Sequence, residues 1–397
     1  MAILIDPPAW PAHGTLWSHL VSDTSYAELH AFARRLGFPR RSFDLDHYDV
    51  SAANYDRAVS LGAIPVAGRE VVYRLRDSGL RVRQTDRAAI TPLRRRQYLV
   101  EEWARLAHLL GVSTIASSWT ALGEDLIERW NEPHRRYHDE RHLEDVLLAL
   151  DHLETRGERV APETLLAAWF HDAVYTGAPG GVSDEQASAD LAAATLGDLL
   201  SPELISRVHA LILATTPASS PISAEEPGPV HDAEAAPKTE AASIAVSTVA
   251  AHTEPAVTLT PRTHGPSTGS NAKSTLGEEP QLGAESPSRD GARQTEQDDP
   301  DARSEIVDPA RTLLLDADIW IFASLPKRYA EYAAAVRAEY AHVPDADFAV
   351  ARASILEAYL ARPHLYRTPA ARALWETRAR ANVSREISEL RNPTQAL

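Results

Sequence analysis

Histidine and aspartate residues in the middle of the sequence have the types and spacing of metal ligands. His138 and His142 are four residues apart, so they would share one face of a helix. His171 and Asp172 are adjacent at the end of an apolar segment, and Asp316 lies within another apolar run. Imidazole and carboxylate ligands suit Mn, Fe, Co, Ni and Zn, and a carboxylate among apolar residues is costly unless it is paired or binds a metal. Each element alone also fits a structural role, such as a core histidine or a helix N-cap at Asp316.

The order of these residues resembles the HD-domain superfamily of metal-dependent phosphohydrolases. In that superfamily a His, then a His–Asp pair and then an Asp occur in a helical context. The resemblance implies that His142, His171, Asp172 and Asp316 are the four ligands of a divalent metal ion, with Mn, Fe, Co, Ni, Mg or Zn as candidates.

Further motifs resemble a small group of predicted hydrolases within this superfamily, over residues 115–216 and 309–390. The matching motifs are Arg136-Tyr137-His138, His171-Asp172-Ala173-Val174-Tyr175, Asp184-Glu185, Leu315-Asp316-Ala317-Asp318, Arg337 with Glu339-Tyr340, and Glu376 with Arg380 and Asn382. The group also has a histidine after a helix that ends here at Thr215-Thr216. Here either His231 is its displaced equivalent or the role is lost.

The resemblance implies an enzyme that hydrolyses a phosphomonoester or phosphodiester, with a nucleotide or related small phosphate as substrate. A divalent metal lowers the pKa of bound water and polarises a phosphoryl oxygen. We expect His138, Arg136, Glu185 and Asp318 to be the catalytic or substrate-contacting residues, although ion-pair roles are equally open for Glu185 and Asp318. The candidate cations for the phosphate are Arg135, Arg136, Arg141, Lys327 and Arg328.

Apolar residues at three- and four-residue spacing predict that most of the chain after residue 97 is helical. The predicted helices are Tyr98–Leu110, Ser117–Asn131, His142–Thr155, Pro162–Phe170, Asp184–Leu200 and Pro202–Ala214, and the pattern resumes from Pro309 to Leu390. The stretch Asp86–Arg96 is basic and polar, and we predict a connector there.

An acidic segment separates the two helical blocks. Residues 217–308 are rich in Ser, Thr, Pro, Ala and Gly, and they carry about −10 of the formal net charge of −16. A segment of this composition cannot bury enough apolar surface to offset its ordering entropy, which predicts disorder. Because the expected ligands lie on both sides of it, we predict an insertion within one helical domain, residues 97–216 and 309–392. Long insertions of this kind have a modest entropic cost.

Residues 1–90 are predicted to form a small α/β module. The expected elements are strands at Ala2–Ile5 and Ala63–Val66 and helices at Ser25–Leu36 and Gly68–Ser78. Motifs including Asp6, Trp10-Pro11, His19-Leu20, Glu28-Leu29-His30 and His47-Tyr48-Asp49 resemble DUF4031, a family of unknown function. His19, Asp23, His30, His47 and Asp49 either form a second metal or phosphate site or satisfy one another in a hydrogen-bond network.

Composition limits the remaining possibilities. The chain has 397 residues and no cysteine, which excludes disulfides, iron–sulfur sites and thiol nucleophiles. With no apolar stretch of membrane-spanning length, no secretory signal pattern and an acidic balance, we expect a cytoplasmic protein without a strong nucleic-acid signal, and an oligomer is possible. The alternative to the enzyme is a metal- or nucleotide-binding sensor without turnover, in which the N-terminal module is the active part.

Overall fold

A mixed five-stranded sheet forms the centre of the N-terminal module. The computed structural model describes residues 2–112, 117–176, 182–216 and 308–392. The strands are β1 (Ile3–Ile5), β2 (Trp10–Ala12), β3 (Thr15–Ser22), β4 (Tyr48–Ser51) and β5 (Ile64–Pro65). Strand β3 pairs antiparallel with β1, β2 and β4, and β1 pairs parallel with β5. The two predicted strands are confirmed, whereas β2, β3 and β4 were not predicted.

Three helices cover both faces of this sheet: α1 (Tyr26–Leu36), α2 (Ala52–Ser60) and α3 (Gly68–Asp77). The Ser25 side chain accepts from the Glu28 N–H at the start of α1, and Gly37 ends the helix at a positive φ of 79°, which favours glycine. Helices α1 and α2 share one apolar cluster with Ile5 and Leu20, and α3 packs on the other face. The prediction of a small α/β module is therefore confirmed.

The rest of the described chain is mostly helical. Its α-helices are α4 (Arg87–Leu110), α5 (Ser117–Arg129), α6 (Glu140–Thr155), α7 (Pro162–Phe170), α8 (Asp184–Leu196), α9 (Pro202–Leu213), α10 (Pro309–Asp318), α11 (Pro326–Glu339), α12 (Asp345–Leu360) and α13 (Pro369–Arg391). A 3₁₀ segment, Ile319–Ala323, follows α10 directly. One buried apolar cluster runs through helices from before and after the acidic segment.

The predicted connector at Asp86–Arg96 is wrong, because α4 begins at Arg87. This part of α4 lacks apolar periodicity but consists mainly of good helix formers. Its arginines are paired with other helices: Arg95 lies 2.7 Å from a Glu144 oxygen, and Arg96 pairs with Glu128. The polar character therefore reflects ion pairing between helices, which a single-sequence pattern does not distinguish from a loop.

Two parts of one helical core flank the acidic segment. Asp308 caps α10 by accepting from the Ala310 N–H, and it pairs with Arg207 of α9 at 3.2 Å. Residues 217–307, including His231 and the predicted disorder, lie outside the described residues. Among the helices that are described, none combines the length and the apolar character needed to cross a bilayer.

The N-terminal module packs directly on the helical part, and all described residues belong to one compact unit. Arg34 of α1 lies 2.8 Å from an Asp151 oxygen of α6, and the Arg40 backbone N–H donates to the other Asp151 oxygen at 2.7 Å. The Arg41 guanidinium lies 3.8 Å from the centre of the Trp320 ring. Asp151 therefore receives donors from two parts of the N-terminal module.

Candidate metal centre

Four buried donor atoms converge where α6, α7 and α10 meet. The Nε2 atoms of His142 and His171 are 3.0 Å apart, and Asp172 Oδ2 lies 3.3 Å from each of them. Asp318 Oδ1 lies 3.6 Å from both Nε2 atoms. All four residues are buried, so the structure brings together three of the four ligands that the resemblance implies, with Asp318 as the additional group.

Local structure places each donor. Asp139 is the N-cap of α6 and accepts from the backbone N–H groups of Arg141 and His142, so His142 lies in the first turn of the helix. His171 and Asp172 follow the last residue of α7 directly, and Asp318 is the last residue of α10. His138 precedes α6, so the expectation that His138 and His142 share a helix face is wrong, although their ring centres are 5.8 Å apart.

Asp316 lies in a different environment from the one that the resemblance implies. Its two carboxylate oxygens accept the backbone N–H groups of Arg367 and Thr368, each at 2.7 Å, at the start of α13. Burial raises its pKa even though these donors act in the opposite direction. The geometry therefore replaces Asp316 by Asp318 as the fourth candidate ligand, and Asp316 joins α10 to α13.

The donor set fits a divalent metal ion. Nitrogen and oxygen ligands lie about 2.0–2.2 Å from zinc, so neighbouring donors on one ion are separated by about 3.0–3.5 Å, close to the distances observed here. His171 Nδ1 lies 2.9 Å from the Ala168 carbonyl oxygen, the kind of contact that orients a ligating imidazole. The rings of Trp130 and Tyr137 pack against the imidazoles. His142, His171 and Asp172 could therefore hold a metal, and Asp318 Oδ1 lies 3.6 Å from both imidazoles as a further candidate.

The pKa values of the two imidazoles are shifted in opposite directions. Burial lowers the pKa of His142 to about 4. Burial also acts to lower the pKa of His171, but the Asp172 and Asp318 carboxylates outweigh it and raise the value to about 9. The pKa of Asp172 is lowered because the two histidines outweigh its own burial. The two carboxylates therefore favour positive charge in the cluster, which a proton on His171 or a metal ion can supply.

Glu339, to which no role was assigned from the sequence, holds the segment before α6. Its Oε1 accepts the backbone N–H groups of Arg136, Tyr137 and His138 at 2.7–3.0 Å. Its Oε2 lies 2.7 Å from His138 Nδ1. His138 is thereby fixed beside the cluster, while the Arg136 side chain is exposed and donates to the Pro133 carbonyl.

The predicted cations differ in their accessibility. Arg135 is buried and donates to the carbonyls of His138, Asp172 and Ala173, so its guanidinium is engaged in stabilising the turn after α7. Lys327 is exposed. Arg141 and Arg328 are close enough that the Arg328 charge helps burial to lower the pKa of Arg141.

Buried polar atoms without a hydrogen-bond partner in the described residues surround this part of the site. They belong to Tyr137 (Oη), Arg141 (Nε), His142 (Nδ1), Asp145 (Oδ2), Asp318 (Oδ1) and Arg328 (Nε). Asp145 is one turn after His142, and its Oδ2 is 3.9 Å from Arg328 Nη2, too far for a hydrogen bond. Such unsatisfied atoms are uncommon in native proteins, and a polar ligand at this place would supply their missing partners.

Glu185 lies in the first turn of α8 and is half-buried. Burial raises the pKa of Glu185, and the negative charge of Asp172 adds to this effect. Glu185 therefore interacts electrostatically with the candidate ligand Asp172, and its catalytic role stays a prediction.

The comparisons with known proteins concern only the N-terminal module. No curated protein and no solved structure matches the chain. The resemblance of the helical part to HD-domain phosphohydrolases therefore stays a prediction. Residues 3–78 match the family model described as "Protein of unknown function (DUF4031)", which supports the resemblance of the N-terminal module to that family.

Proposed function

We propose that the helical part is a metal-dependent phosphohydrolase that acts on a small phosphate ester, such as a nucleotide. The observation that carries this proposal is the buried convergence of His142 Nε2, His171 Nε2 and Asp172 Oδ2 within 3.0–3.3 Å of one another, with Asp318 Oδ1 3.6 Å from both imidazoles. Without a metal, Asp172 and Asp318 place two buried carboxylates against these imidazoles, which is an imbalance of charge within the four-residue cluster. A divalent cation removes this imbalance and suits the ligand types.

Guanidinium groups beside the cluster support an anionic substrate. Arg141 directly precedes His142, and Arg328 comes from α11. Both have buried Nε atoms without a hydrogen-bond partner in the part of the chain that the structure describes. Guanidinium groups form strong hydrogen bonds with phosphate oxygens. In the proposal Arg141 and Arg328 bind the phosphate, with the Tyr137 hydroxyl as a further donor.

Glu339, His138 and Glu185 have positioning and proton-transfer roles in the proposed mechanism. When bound, the metal supplies a Lewis acid that polarises the phosphoryl oxygen and lowers the pKa of water. Glu339 fixes His138 through Nδ1, so His138 exchanges a proton through Nε2 in this mechanism. Burial raises the pKa of Glu185, which is the direction that suits a proton donor to the leaving group. The HD-domain resemblance supports a nucleotide or related phosphate as the substrate class.

The test uses the full chain after removal of bound metal with a chelator. Mn²⁺, Co²⁺ or Ni²⁺ is added, and phosphate release is measured over a panel of nucleotides, other phosphomonoesters and phosphodiesters. We expect metal-dependent release from at least one class, with loss of at least about 100-fold in Asp318→Asn. Asp316→Asn is the matched control, because it removes a carboxylate two residues away that does not face the imidazoles.

The outcomes separate the proposed enzyme from the sensor alternative. Stoichiometric metal binding without phosphate release from any ester would contradict the hydrolase and support a binding protein. Loss of activity in Asp316→Asn, with full activity in Asp318→Asn and both variants folded, would contradict the assignment of the fourth ligand.

A further inference from the structure

A second group of metal-binding side chains lies on the sheet of the N-terminal module. His19 in β3 is directly opposite Asp49 in β4, and His47 is two residues before Asp49. Cross-strand partners share a face of an antiparallel sheet, and residues two apart along a strand also share a face. The strand register therefore places His19 and Asp49 on one face, and His47, which directly precedes β4, lies beside both of them.

The three side chains are close enough to share one ligand. One potential ligand atom from each of them lies within 4.8 Å of the other two. His47 Nε2 is 3.6 Å from Asp49 Oδ1, and the ring centres of His19 and His47 are 5.2 Å apart at an angle of 66°. These separations are slightly larger than those in the helical cluster, and small rotations of three partly exposed side chains would close them.

Each imidazole is oriented by its own buried carboxylate. His19 Nδ1 lies 3.0 Å from Asp6 Oδ2, and His47 Nδ1 lies 2.6 Å from Asp46 Oδ1. Both carboxylates are at least 96% buried, with side-chain exposures of 4% and 1%. A carboxylate that binds one ring nitrogen and directs the other to a metal is the usual arrangement around ligating histidines.

The orienting carboxylates are themselves fixed. Asp46 also accepts the Val82 backbone N–H at 2.7 Å and lies 3.1 Å from Arg81 Nη1. Asp6 also accepts from the His19 backbone N–H and the Trp10 indole at 3.2 Å. The hydrogen-bond network expected as an alternative therefore exists, but it engages Nδ1 of each histidine and leaves both Nε2 atoms directed away from the orienting carboxylates.

The other two candidates from the sequence do not belong to this group. Asp23 accepts the Ala2 backbone N–H at 2.8 Å and pairs with Arg74. His30 Nδ1 lies 2.9 Å from the Tyr48 hydroxyl, within the apolar packing of α1. The candidate set is thereby reduced to His19, His47 and Asp49.

We propose that His19, His47 and Asp49 bind a divalent transition-metal cation of the zinc type, and that Asp6 and Asp46 hold the two imidazoles in position for it. Two imidazoles and one carboxylate are a ligand set that suits zinc and its neighbours. The side chains of His19, His47 and Asp49 are 29%, 13% and 46% exposed, so the cation is reached from solvent. Three protein ligands leave a position for an exogenous fourth ligand, as in catalytic rather than structural sites.

The experiment counts Co²⁺ bound by the metal-free full-length chain in equilibrium dialysis, with the visible absorption of Co²⁺ as a second readout. The test variants are His19→Gln and Asp49→Asn, and the matched control is His13→Gln, at an exposed histidine in the turn between β2 and β3. We expect both test variants to bind one Co²⁺ fewer per chain than the control, with an affinity at least about 100-fold weaker at this site.

The expected difference in Co²⁺ bound per chain is the same whether or not the helical cluster binds Co²⁺. If that cluster also binds Co²⁺, the count falls from two to one, and if it does not, the count falls from one to zero. An equal count and affinity in His13→Gln, His19→Gln and Asp49→Asn would overturn the proposal. Asp49 is partly exposed, so Asp49→Asn provides the test if His19→Gln fails to fold, as judged by circular dichroism. Asp6→Asn should weaken binding about 10–100-fold without abolishing it.

Discussion

Replacing Glu339 with glutamine should destabilise the folded chain strongly and in a pH-dependent way. Burial acts to raise the pKa of Glu339, but His138 and the backbone N–H groups of Tyr137 and Arg136 outweigh it and lower the value from 4.5 to about 2. At about 1.4 kcal/mol per pH unit, this lowering corresponds to about 3 kcal/mol of stabilisation of the charged form. The Glu339 side chain is only 3% exposed, so solvent screens this interaction little.

The sign of the pH dependence follows from the direction of the shift. A carboxyl whose pKa is lower in the folded state contributes stability above its unfolded value, and it loses this contribution as the pH falls through the folded value. The contribution of Glu339 is therefore complete above about pH 5 and disappears between about pH 4.5 and pH 2. The Glu339→Gln variant lacks this stabilising contribution at every pH.

The assay is urea unfolding of the wild type and Glu339→Gln at pH 7, 4.5 and 3. We expect the variant to be less stable by about 3 kcal/mol at pH 7, and the difference to fall below half of that at pH 3. The control is Glu331→Gln, on the same helix but exposed and paired with Arg141 at 3.5 Å, which should change stability by less than about 1 kcal/mol. A difference that stays constant from pH 7 to pH 3 would refute the assignment to the Glu339 charge.

Three further predictions concern other parts of the structure. Asp318→Asn should abolish tight Co²⁺ binding by the helical cluster, whereas Asp316→Asn should keep it, as measured by dialysis. Asp316→Asn should lower the free energy of unfolding by about 1–2 kcal/mol in urea, because α13 loses a charged acceptor at its start. Gly123→Ala should destabilise by about 1–3 kcal/mol, since its Cβ would lie 2.3 Å from an indole carbon. Gly197→Ala meets two carbonyl oxygens at 3.5 and 3.9 Å and should not destabilise, so equal melting temperatures of the two variants would contradict this. Arg352→Met should cost about 3–5 kcal/mol in urea unfolding, because it leaves a buried glutamate without its ion pair.

Two apolar helices that begin with a proline could be predicted closely. The sequence places one helix at Pro162–Phe170, which is the observed range of α7, and another at Pro202–Ala214, one residue longer than α9. In both, a proline occupies the first turn, where its missing N–H has no cost. Local chemistry determines these boundaries, so one sequence is sufficient to find them.

The strands of the N-terminal module were largely missed for a physical reason. Strand β3 carries His19 between the buried residues Ser18 and Leu20, and β4 carries the exposed Asp49 between Tyr48 and Val50. The alternation is short, and polar residues occupy the face that forms the second candidate site. The residues that give this module its chemistry therefore also weaken the hydrophobic pattern by which strands are recognised.

The choice between Asp316 and Asp318 shows what the sequence leaves open in the helical cluster. Residues two apart on an α-helix point about 200° away from each other, so only one of these carboxylates can face the imidazoles. Apolar residues flank both Asp316 and Asp318, so the local sequence pattern does not show which of the two faces the imidazoles. The decision depends on Arg367 and Thr368, about 50 positions later, whose backbone N–H groups need an acceptor where α13 begins. Asp316 meets that need, which leaves Asp318 for the cluster, and this assignment requires the tertiary position of α13.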